Sequence, residues 1–170
     1  EDRDGEAAGS LIGACMEGNR PIMVEFQALV AKTPYGMPRR TAVGFDYNRV
    51  NMLLAILERR FGLDFGMYDA YVNVVGGMRI TEPAADLAVA AALVSSYRNR
   101  PVPKGALCFG EVGLTGEVRR VSAPERRIMD GINLGFTKFI VPDSQLRLPQ
   151  VNAKIIKVKT LEQALQALFN

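Results

Sequence analysis

The sequence predicts a single α+β domain in which a mixed sheet packs against several helices. Strand-like segments dominate the first half of the chain, whereas strands and helices alternate in the second half. A length of 170 residues with 48% hydrophobic content is enough for one well-buried core and too short for two large ones. Residues 1–9 are mostly small and charged, so we expect a linker there and the folded domain over residues 10–170.

Three strands are predicted at the start of the domain. Residues 10–18 and 20–31 carry the apolar alternation of strands, and a Pro- and Gly-rich loop within residues 33–46 leads into a third short strand. We expect these three strands to form an antiparallel meander.

Two helices follow, with a core strand at residues 68–77 between them. Asp46 is placed to cap the first helix, which has one apolar stripe and ends near Gly62. Pro83 suits the first turn of the second helix, which runs to about Tyr97. This second helix carries alanines on all sides, so we expect it to be the central helix of the domain.

Strands and helices alternate in the last third of the chain. The sequence SAPE predicts a capping box with Ser122 as N-cap and Glu125 three residues later, at the start of a helix that stops at Gly135. The other predicted elements are strands at residues 105–113, 138–142 and 153–159, a turn with a short strand at 114–121, and a closing helix at 160–169.

Composition excludes several kinds of chemistry. The chain has no histidine, which removes Ser-His-Asp and Cys-His hydrolases, and it has no Gly-x-x-x-x-Gly-Lys phosphate loop. Cys15 and Cys108 are far apart in apolar segments, which predicts buried reduced thiols, a cytoplasmic location and no zinc site. No apolar segment approaches the roughly 20 residues needed to cross a bilayer, so we expect no membrane partner.

Arginine is the dominant cation, with 15 of the 21 Lys and Arg residues. Its planar fork of donors binds phosphates, so we expect some arginines to contact nucleic acid through its backbone without reading bases. Tyr35, in the same loop as one arginine pair, is the aromatic residue of most interest. The alternative is that some arginines form ion pairs with nearby glutamates. The candidates are Arg39, Arg40, Arg49, Arg59, Arg60, Arg119 and Arg120.

Several long segments carry a resemblance to a known family. VNVVGGMRITEPAADLAVAAALVSS, FGEVGLTGEVRRV and GFTKFIVP, together with VEFQALV, PRRTAVG and NRVNMLLAILERR, resemble the C-terminal Lon-protease-like domain of the bacterial RadA (Sms) family of DNA repair proteins. The resemblance extends from about Ser10 to the end of the chain. It implies a Lon proteolytic-domain-like fold, of the type also called ribosomal protein domain 2-like.

The wider family of Lon peptidases uses a Ser-Lys dyad that this sequence lacks. In those peptidases the central helix begins with Gly-Pro-Ser-Ala-Gly, and here EPAAD takes that place, with Ala84 at the serine position. The second motif is present as TGEV at residues 115–118, and counting onward without gaps puts Glu125 at the lysine position. The resemblance therefore implies a pseudo-protease; the alternative of a peptidase with a non-standard site stays open.

The resemblance also implies partners and a larger parent protein. Family members carry a zinc finger and a RecA-like ATPase ahead of this domain and act as hexameric motors for branch migration in recombinational repair. ATP, Mg and Zn are therefore expected only in those upstream domains, with residues 1–9 as the linker. For this domain we expect homo-hexameric ring assembly and binding to single-stranded or branched DNA; the alternative is an oligomerisation scaffold without DNA contact.

Overall fold

The structure, a computed structural model, describes residues 7–34 and 36–170. Within these ranges the chain forms one domain with a seven-stranded mixed sheet, a separate two-stranded hairpin and four α-helices. This arrangement agrees with the predicted α+β domain. Residues 1–6 of the predicted linker, which spans residues 1–9, lie outside the described residues.

The elements of the domain follow one another along the chain without long gaps. The strands are β1 (Ser10–Glu17), β2 (Arg20–Lys32), β3 (Arg40–Val43), β4 (Tyr68–Val74), β5 (Ala106–Cys108), β6 (Glu111–Val112), β7 (Val118–Arg119), β8 (Lys138–Pro142) and β9 (Lys154–Val158). The helices are α1 (Tyr47–Phe61), α2 (Asp86–Arg98), α3 (Pro124–Asn133) and α4 (Leu161–Phe169), with 3-10 turns at Phe65–Met67 and Pro83–Ala85.

The strand order of the large sheet is β3-β4-β2-β1-β5-β8-β9. Strand β2 is antiparallel to both β1 and β4, and the other neighbouring pairs are parallel. The predicted antiparallel meander is wrong, because β3 pairs in parallel with β4 and is separated from β2 by it. Helix α1 connects β3 to β4, and a helical crossover of this length returns the chain as a parallel strand.

The first helix has the ends that the sequence predicts. The Asp46 carboxylate accepts a hydrogen bond from the Asn48 backbone N–H at 2.8 Å, which satisfies one of the unpaired amides of the first turn. Gly62 ends the helix in the left-handed conformation with φ 66°, where a side chain would be strained. Val50 and Leu53 on the predicted apolar stripe are fully buried.

Helix α2 is the central helix, as predicted. Its residues from Asp86 to Ser95 are all buried, and its alanines let the sheet approach closely. Gly13 of β1 lies against it, and a Cβ added there would come within 3.2 Å of the Ala88 methyl group. Helices α1, α2 and α4 cover one face of the sheet, while α3 covers the other face through Ile128.

The predicted strand at residues 105–113 is interrupted at Gly110. The chain leaves the large sheet after β5 and forms the hairpin β6–β7, in which Glu111 pairs with Arg119. A Cβ on Gly110 would come within 2.8 Å of the Val118 side chain, so the glycine permits the close approach of the hairpin. None of the helices in the described part of the chain is long and apolar enough to cross a membrane.

Candidate functional site

Ala84, predicted at the serine position of the peptidases, is buried and closed by backbone contacts. Ala84 lies in the 3-10 turn before α2 and is 2% exposed. Its carbonyl accepts a hydrogen bond from the Gly110 N–H at 2.8 Å, and the Leu87 N–H donates to the Gly110 carbonyl at 3.1 Å. A methyl group at this place cannot attack a carbonyl carbon. The turn around it is fixed by these hydrogen bonds to Gly110, which lies between β5 and β6.

Glu125 lies in the first turn of α3, but the predicted capping box is wrong. The residue that precedes the helix is Ala123, which has φ 51° and gives no side-chain cap. The Glu125 carboxylate instead accepts from the Arg147 N–H at 3.2 Å. Ser122 is used by Arg127, whose guanidinium donates to its carbonyl at 2.8 Å and to its hydroxyl at 3.3 Å. The left-handed turn at Ala123 therefore directs Ser122 away from the helix amides.

An ion pair between a buried arginine and a partly exposed glutamate joins the two segments that carry the predicted vestigial positions. Glu82, two residues before Ala84, is paired with Arg127, two residues after Glu125. The Arg127 side chain is 1% exposed, and its guanidinium also donates to the Ala14 carbonyl at 2.9 Å. The pair is fully hydrogen-bonded, which is the condition under which buried charges are tolerated.

Strand β1 and an aromatic ring make the other contacts of this ion pair. The Glu82 carboxylate accepts from the Met16 N–H at 2.6 Å. The Arg127 guanidinium carbon lies 5.5 Å from the centre of the Phe109 ring, within cation–π range. The Glu82 and Arg127 side chains thus link the two motif segments to each other and to strand β1.

The thiol nearest to this ion pair is not a substitute nucleophile. Burial and, to a smaller extent, the Glu82 charge raise the pKa of Cys15 to about 12, although the Arg127 charge acts in the opposite direction. The attacking form of cysteine is the thiolate, which is scarce at neutral pH when the pKa is this high. The pKa of Cys108 is also raised by burial. Both thiols are free and buried, as predicted.

A second ion pair accounts for Arg49. The Asp86 carboxylate is fully buried and accepts from the Arg49 guanidinium, with an Nε contact of 2.8 Å, and from the Val112 N–H at 3.1 Å. This carboxylate ties α1, α2 and strand β6 together. The Asp86 carboxylate raises the pKa of Arg49, mainly by accepting a hydrogen bond from its guanidinium. Arg49 is thus engaged inside the domain, and DNA contact by it stays a prediction.

Arg39 and Arg40, at the start of β3, lie at one edge of the large sheet. The Arg40 guanidinium donates to the backbone carbonyls of Tyr68 and Phe65, the latter at 2.8 Å, so this side chain anchors the edge strand. Arg39 is exposed; its backbone N–H donates to the Asp69 carboxylate at 2.7 Å, and its carbonyl accepts from the Ala70 N–H at 2.9 Å. Tyr35 lies outside the described residues.

The hairpin β6–β7 gathers other predicted arginines at one place. The Arg60 side chain lies over Gly116 in the turn, where an added Cβ would meet its Cγ at 3.5 Å. Arg119 is paired with Glu117 at 3.0 Å on the surface, and the Arg120 Nε donates to the Asp143 carbonyl at 3.1 Å. Arg59 is exposed in the last turn of α1, next to Arg60. These contacts place Arg60, Arg119 and Arg120 around the hairpin, each on a different partner, whereas Arg39 and Arg40 lie at the edge strand β3.

Glu117 organises the turn of this hairpin. Its carboxylate accepts from the Thr115 hydroxyl at 2.6 Å, from the Thr115 N–H at 3.1 Å and from the Arg119 guanidinium. These hydrogen bonds lower the pKa of Glu117 to about 2. The TGEV motif therefore has a structural explanation in this chain: its glutamate holds the turn, and a hollow of about 290 Å³ opens between Thr115, Arg60 and the start of α4.

Several residues in and beside the candidate site could not be identified from the sequence. The partners Glu82 and Arg127 are 45 residues apart, and no local pattern connects them. Lys157 and Lys159 of the segment KIIKVK lie beside the hairpin, because the Val118 N–H donates to the Lys159 carbonyl at 2.9 Å. Their alternation along a predicted strand was the available signal.

The chain matches the family model described as subunit ChlI of Mg-chelatase over residues 28–145, and it belongs to that family. Among the described residues, no three His, Cys or carboxylate side chains are grouped so that they could hold a metal ion.

Nearly the whole chain is also similar to curated proteins named DNA repair protein RadA, which confirms the predicted relationship. It is 52% identical over 147 residues to the protein of Bacillus subtilis (strain 168), covering 86% of this chain and 32% of that protein. The identity is 46% over 169 residues for Halalkalibacterium halodurans, covering 98% of this chain and 37% of that protein. For Streptococcus pyogenes serotype M6 it is 44% over 173 residues, with 100% and 38% covered. The chain spans between 32% and 38% of the length of these relatives.

Proposed function

We propose that this chain is a non-catalytic Lon-like domain that binds DNA without sequence preference and supports ring assembly in DNA repair. The relatives named DNA repair protein RadA support the role in repair. We further propose that ATP, Mg and Zn are bound by other parts of the full-length protein, which acts as a hexameric branch-migration motor.

The absence of peptidase activity is argued from the two vestigial positions. Ala84 carries a buried methyl group, and Glu125 carries a carboxylate engaged by a backbone amide. A Ser-Lys dyad requires a hydroxyl and a neutral amine within hydrogen-bond reach of each other. Neither group is supplied at these positions, and the Glu82–Arg127 pair links the two segments.

The observation that carries DNA binding is the gathering of Arg60, Arg119 and Arg120 around one hairpin. Each is exposed, and the engagement of Arg119 is a surface ion pair of the kind that contributes about 0–1 kcal/mol. A DNA phosphate can replace such a partner without a large penalty. Contacts of this kind go to the backbone and not to base edges, so they suit a protein that must accept any sequence.

Ring assembly is the competing use of the same arginines. In a ring, head-to-tail contacts use two different surfaces of each subunit, and the arginines could pair with carboxylates of a neighbour. A charge-reversal experiment separates the two. In the variant R60E/R119E we expect weaker DNA binding and an unchanged assembly state by light scattering, because the hairpin faces DNA.

The control for that experiment is R98E/R126E, which has the same change in net charge. Arg98 ends α2 and Arg126 lies on α3, where its guanidinium donates to the Asn19 carbonyl, and both side chains are exposed. Equal loss of DNA affinity in both variants would mean that only net charge matters. Disassembly of R60E/R119E alone would place the hairpin at a subunit contact and contradict the proposal.

A further inference from the structure

One face of the large sheet is left uncovered by the described residues where β3, β4 and the second half of β2 lie side by side. Helix α3 covers this side of the sheet over β1 and the start of β2, where Ile12 and Met23 pack against the cluster beneath it. Alternate residues of β2 beyond Met23 point to the same side. Six exposed side chains on this side are named the open face: Gln27, Leu29, Thr41, Val43, Tyr71 and Asn73.

The open face is continuous across the three strands because its residues lie opposite one another. Tyr71 of β4 is in register with Leu29 of β2 and with Thr41 of β3. In the next row, Asn73 lies opposite Val43. Directly opposite side chains of a sheet are close enough to touch, so these residues form one surface. Leu29 and Val43 are 57% and 55% exposed, which leaves much of their apolar area in water.

The open face carries no charge, although charged residues make up 23% of the chain. Charges lie at its rim, where the Glu25 carboxylate accepts from the Ser10 hydroxyl at 2.8 Å and from the Gln27 amide at 2.9 Å. An uncharged centre with an aromatic side chain and a polar rim is typical of protein contact surfaces. A charge placed against this centre would lose its hydration without gaining an ion pair, so the complementary surface is also uncharged.

The chain enters the domain at the border of the open face. Residues 7–8 line a hollow of about 250 Å³ that reaches Tyr71. The entry is fixed at Gly9, whose N–H donates to the Ser95 hydroxyl at 2.8 Å and whose carbonyl accepts from the Ala28 N–H at 2.7 Å. Residue 7, through which the preceding chain is attached, is therefore held next to the open face.

The size of the open face distinguishes between two kinds of occupant. Together with the exposed flanking residues Ala31 and Val75 it covers five residues on each of three strands, or roughly 250 Å² of flat sheet. A stable contact between free chains needs about 800 Å² on each side, whereas contacts between domains of one chain begin at about 300 Å² on each side. A tether makes the smaller contact sufficient, because linked surfaces meet at a millimolar effective concentration. The area therefore favours a part of the same polypeptide over a second copy of this chain.

We propose that the open face is the docking surface for a domain of the full-length protein that is attached through residues 1–6. This chain spans between 32% and 38% of the length of its relatives, so a full-length protein of that length has room for such a domain. The docking domain presents apolar side chains and neutral amide or hydroxyl groups. Residues 1–6 are mostly charged, so this segment is the tether and not the occupant. The inference rests on the part of the proposed function that places further domains in the full-length protein, and not on DNA binding.

The test measures how fast a cysteine on the open face reacts with a maleimide. L29C and V43C place thiols on the open face, and L134C, at a 66% exposed position after α3, is the matched control. The native thiols of Cys15 and Cys108 are buried, and mass spectrometry reads the rate on the peptide that carries each new cysteine. Each variant is made in the full-length protein and in this chain, and circular dichroism checks that it folds. In the full-length protein we expect L29C and V43C to react at least about tenfold more slowly than in this chain, because a docked face is open only in a minor state. L134C should react at similar rates in both.

A second comparison tests the tether. A protease site inserted within residues 1–6 of full-length L29C allows cleavage, and dilution after cleavage is expected to restore the fast rate, because the effective concentration is lost. Equal rates of L29C and V43C in the full-length protein and in this chain would refute docking, as would an equal slowing of L134C. Protection that survives cleavage and dilution, or that appears in this chain as its concentration rises, would assign the open face to a neighbouring copy and overturn the inference. These rates are measured without DNA, so the inference can fail while DNA binding stands, and the reverse.

Discussion

The buried Glu82–Arg127 pair predicts a large and specific loss of stability when one partner is removed. In R127A the Glu82 carboxylate loses its counter-charge, and the carbonyls of Ala14 and Ser122 lose their donor. Removing one partner of a buried pair costs about 3–5 kcal/mol because the other charge is left uncompensated. Glu82 is 21% exposed, so some water reaches it, and we expect a loss at the lower end of that range.

The magnitude translates into a measurable shift. A domain of this size loses roughly 2–4 °C of Tm for each kcal/mol, so R127A is expected to melt about 6–15 °C below wild type. The assay is urea and thermal unfolding followed by far-ultraviolet circular dichroism, because the chain has no tryptophan. The control is R126A, which removes the adjacent, exposed arginine and is expected to cost less than about 1 kcal/mol.

A double-mutant cycle tests the interaction between Glu82 and Arg127 directly. E82Q keeps an oxygen that can accept from the Met16 N–H and from Arg127, so it is expected to cost less than R127A. The effects of E82Q and R127A should not add, because both remove the interaction between the Glu82 and Arg127 charges. If R127A lost less than about 1 kcal/mol, or if the two effects added fully, the ion pair would not join the motif segments as argued.

Three further predictions follow from the site. First, the double variant A84S/E125K is expected to show no turnover of a fluorogenic peptide above wild type, because residue 84 is buried; turnover restored by the two changes would show that the pocket is open. Second, the Glu117 carboxylate has a lowered pKa, so its charge stabilises the fold at pH values above its usual pKa of 4.5. This stabilisation is lost as the pH falls toward about 2. The difference in Tm between wild type and E117Q should therefore be present at pH 7 and shrink between pH 4.5 and 2; a difference independent of pH would exclude this carboxylate as its source. Third, R119Q/R120Q is expected to lower the magnitude of the salt slope for single-stranded DNA by about 1.4, measured by anisotropy, and an unchanged slope would remove both arginines from the interface.

Local signals in the sequence predicted both ends of α1. The cap at Asp46 and the glycine at Gly62 are set by interactions within a few residues, and the structure has both as expected. The central position of α2 followed from its alanines, because only an element that is buried on all sides has no need of a polar face.

Interactions between distant segments could not be predicted in the same way. The SAPE sequence fits a capping box, yet Arg127 binds Ser122 and Ala123 adopts a left-handed conformation. The pairing of β3 with β4 depends on a crossover through α1, which leaves no trace in the alternation of the strand itself. Positive charge could be located in the sequence, but the contacts of each arginine depend on which carboxylates and carbonyls the fold brings near it.

The measurement that tests the central claim most directly is the binding of this chain to single-stranded DNA of two unrelated sequences across a range of salt concentrations. The account predicts equal affinity for both sequences and a steep linear fall of log K with log salt, as phosphate contacts release counterions. Undetectable binding at low salt, or a clear preference for one sequence, would contradict the account.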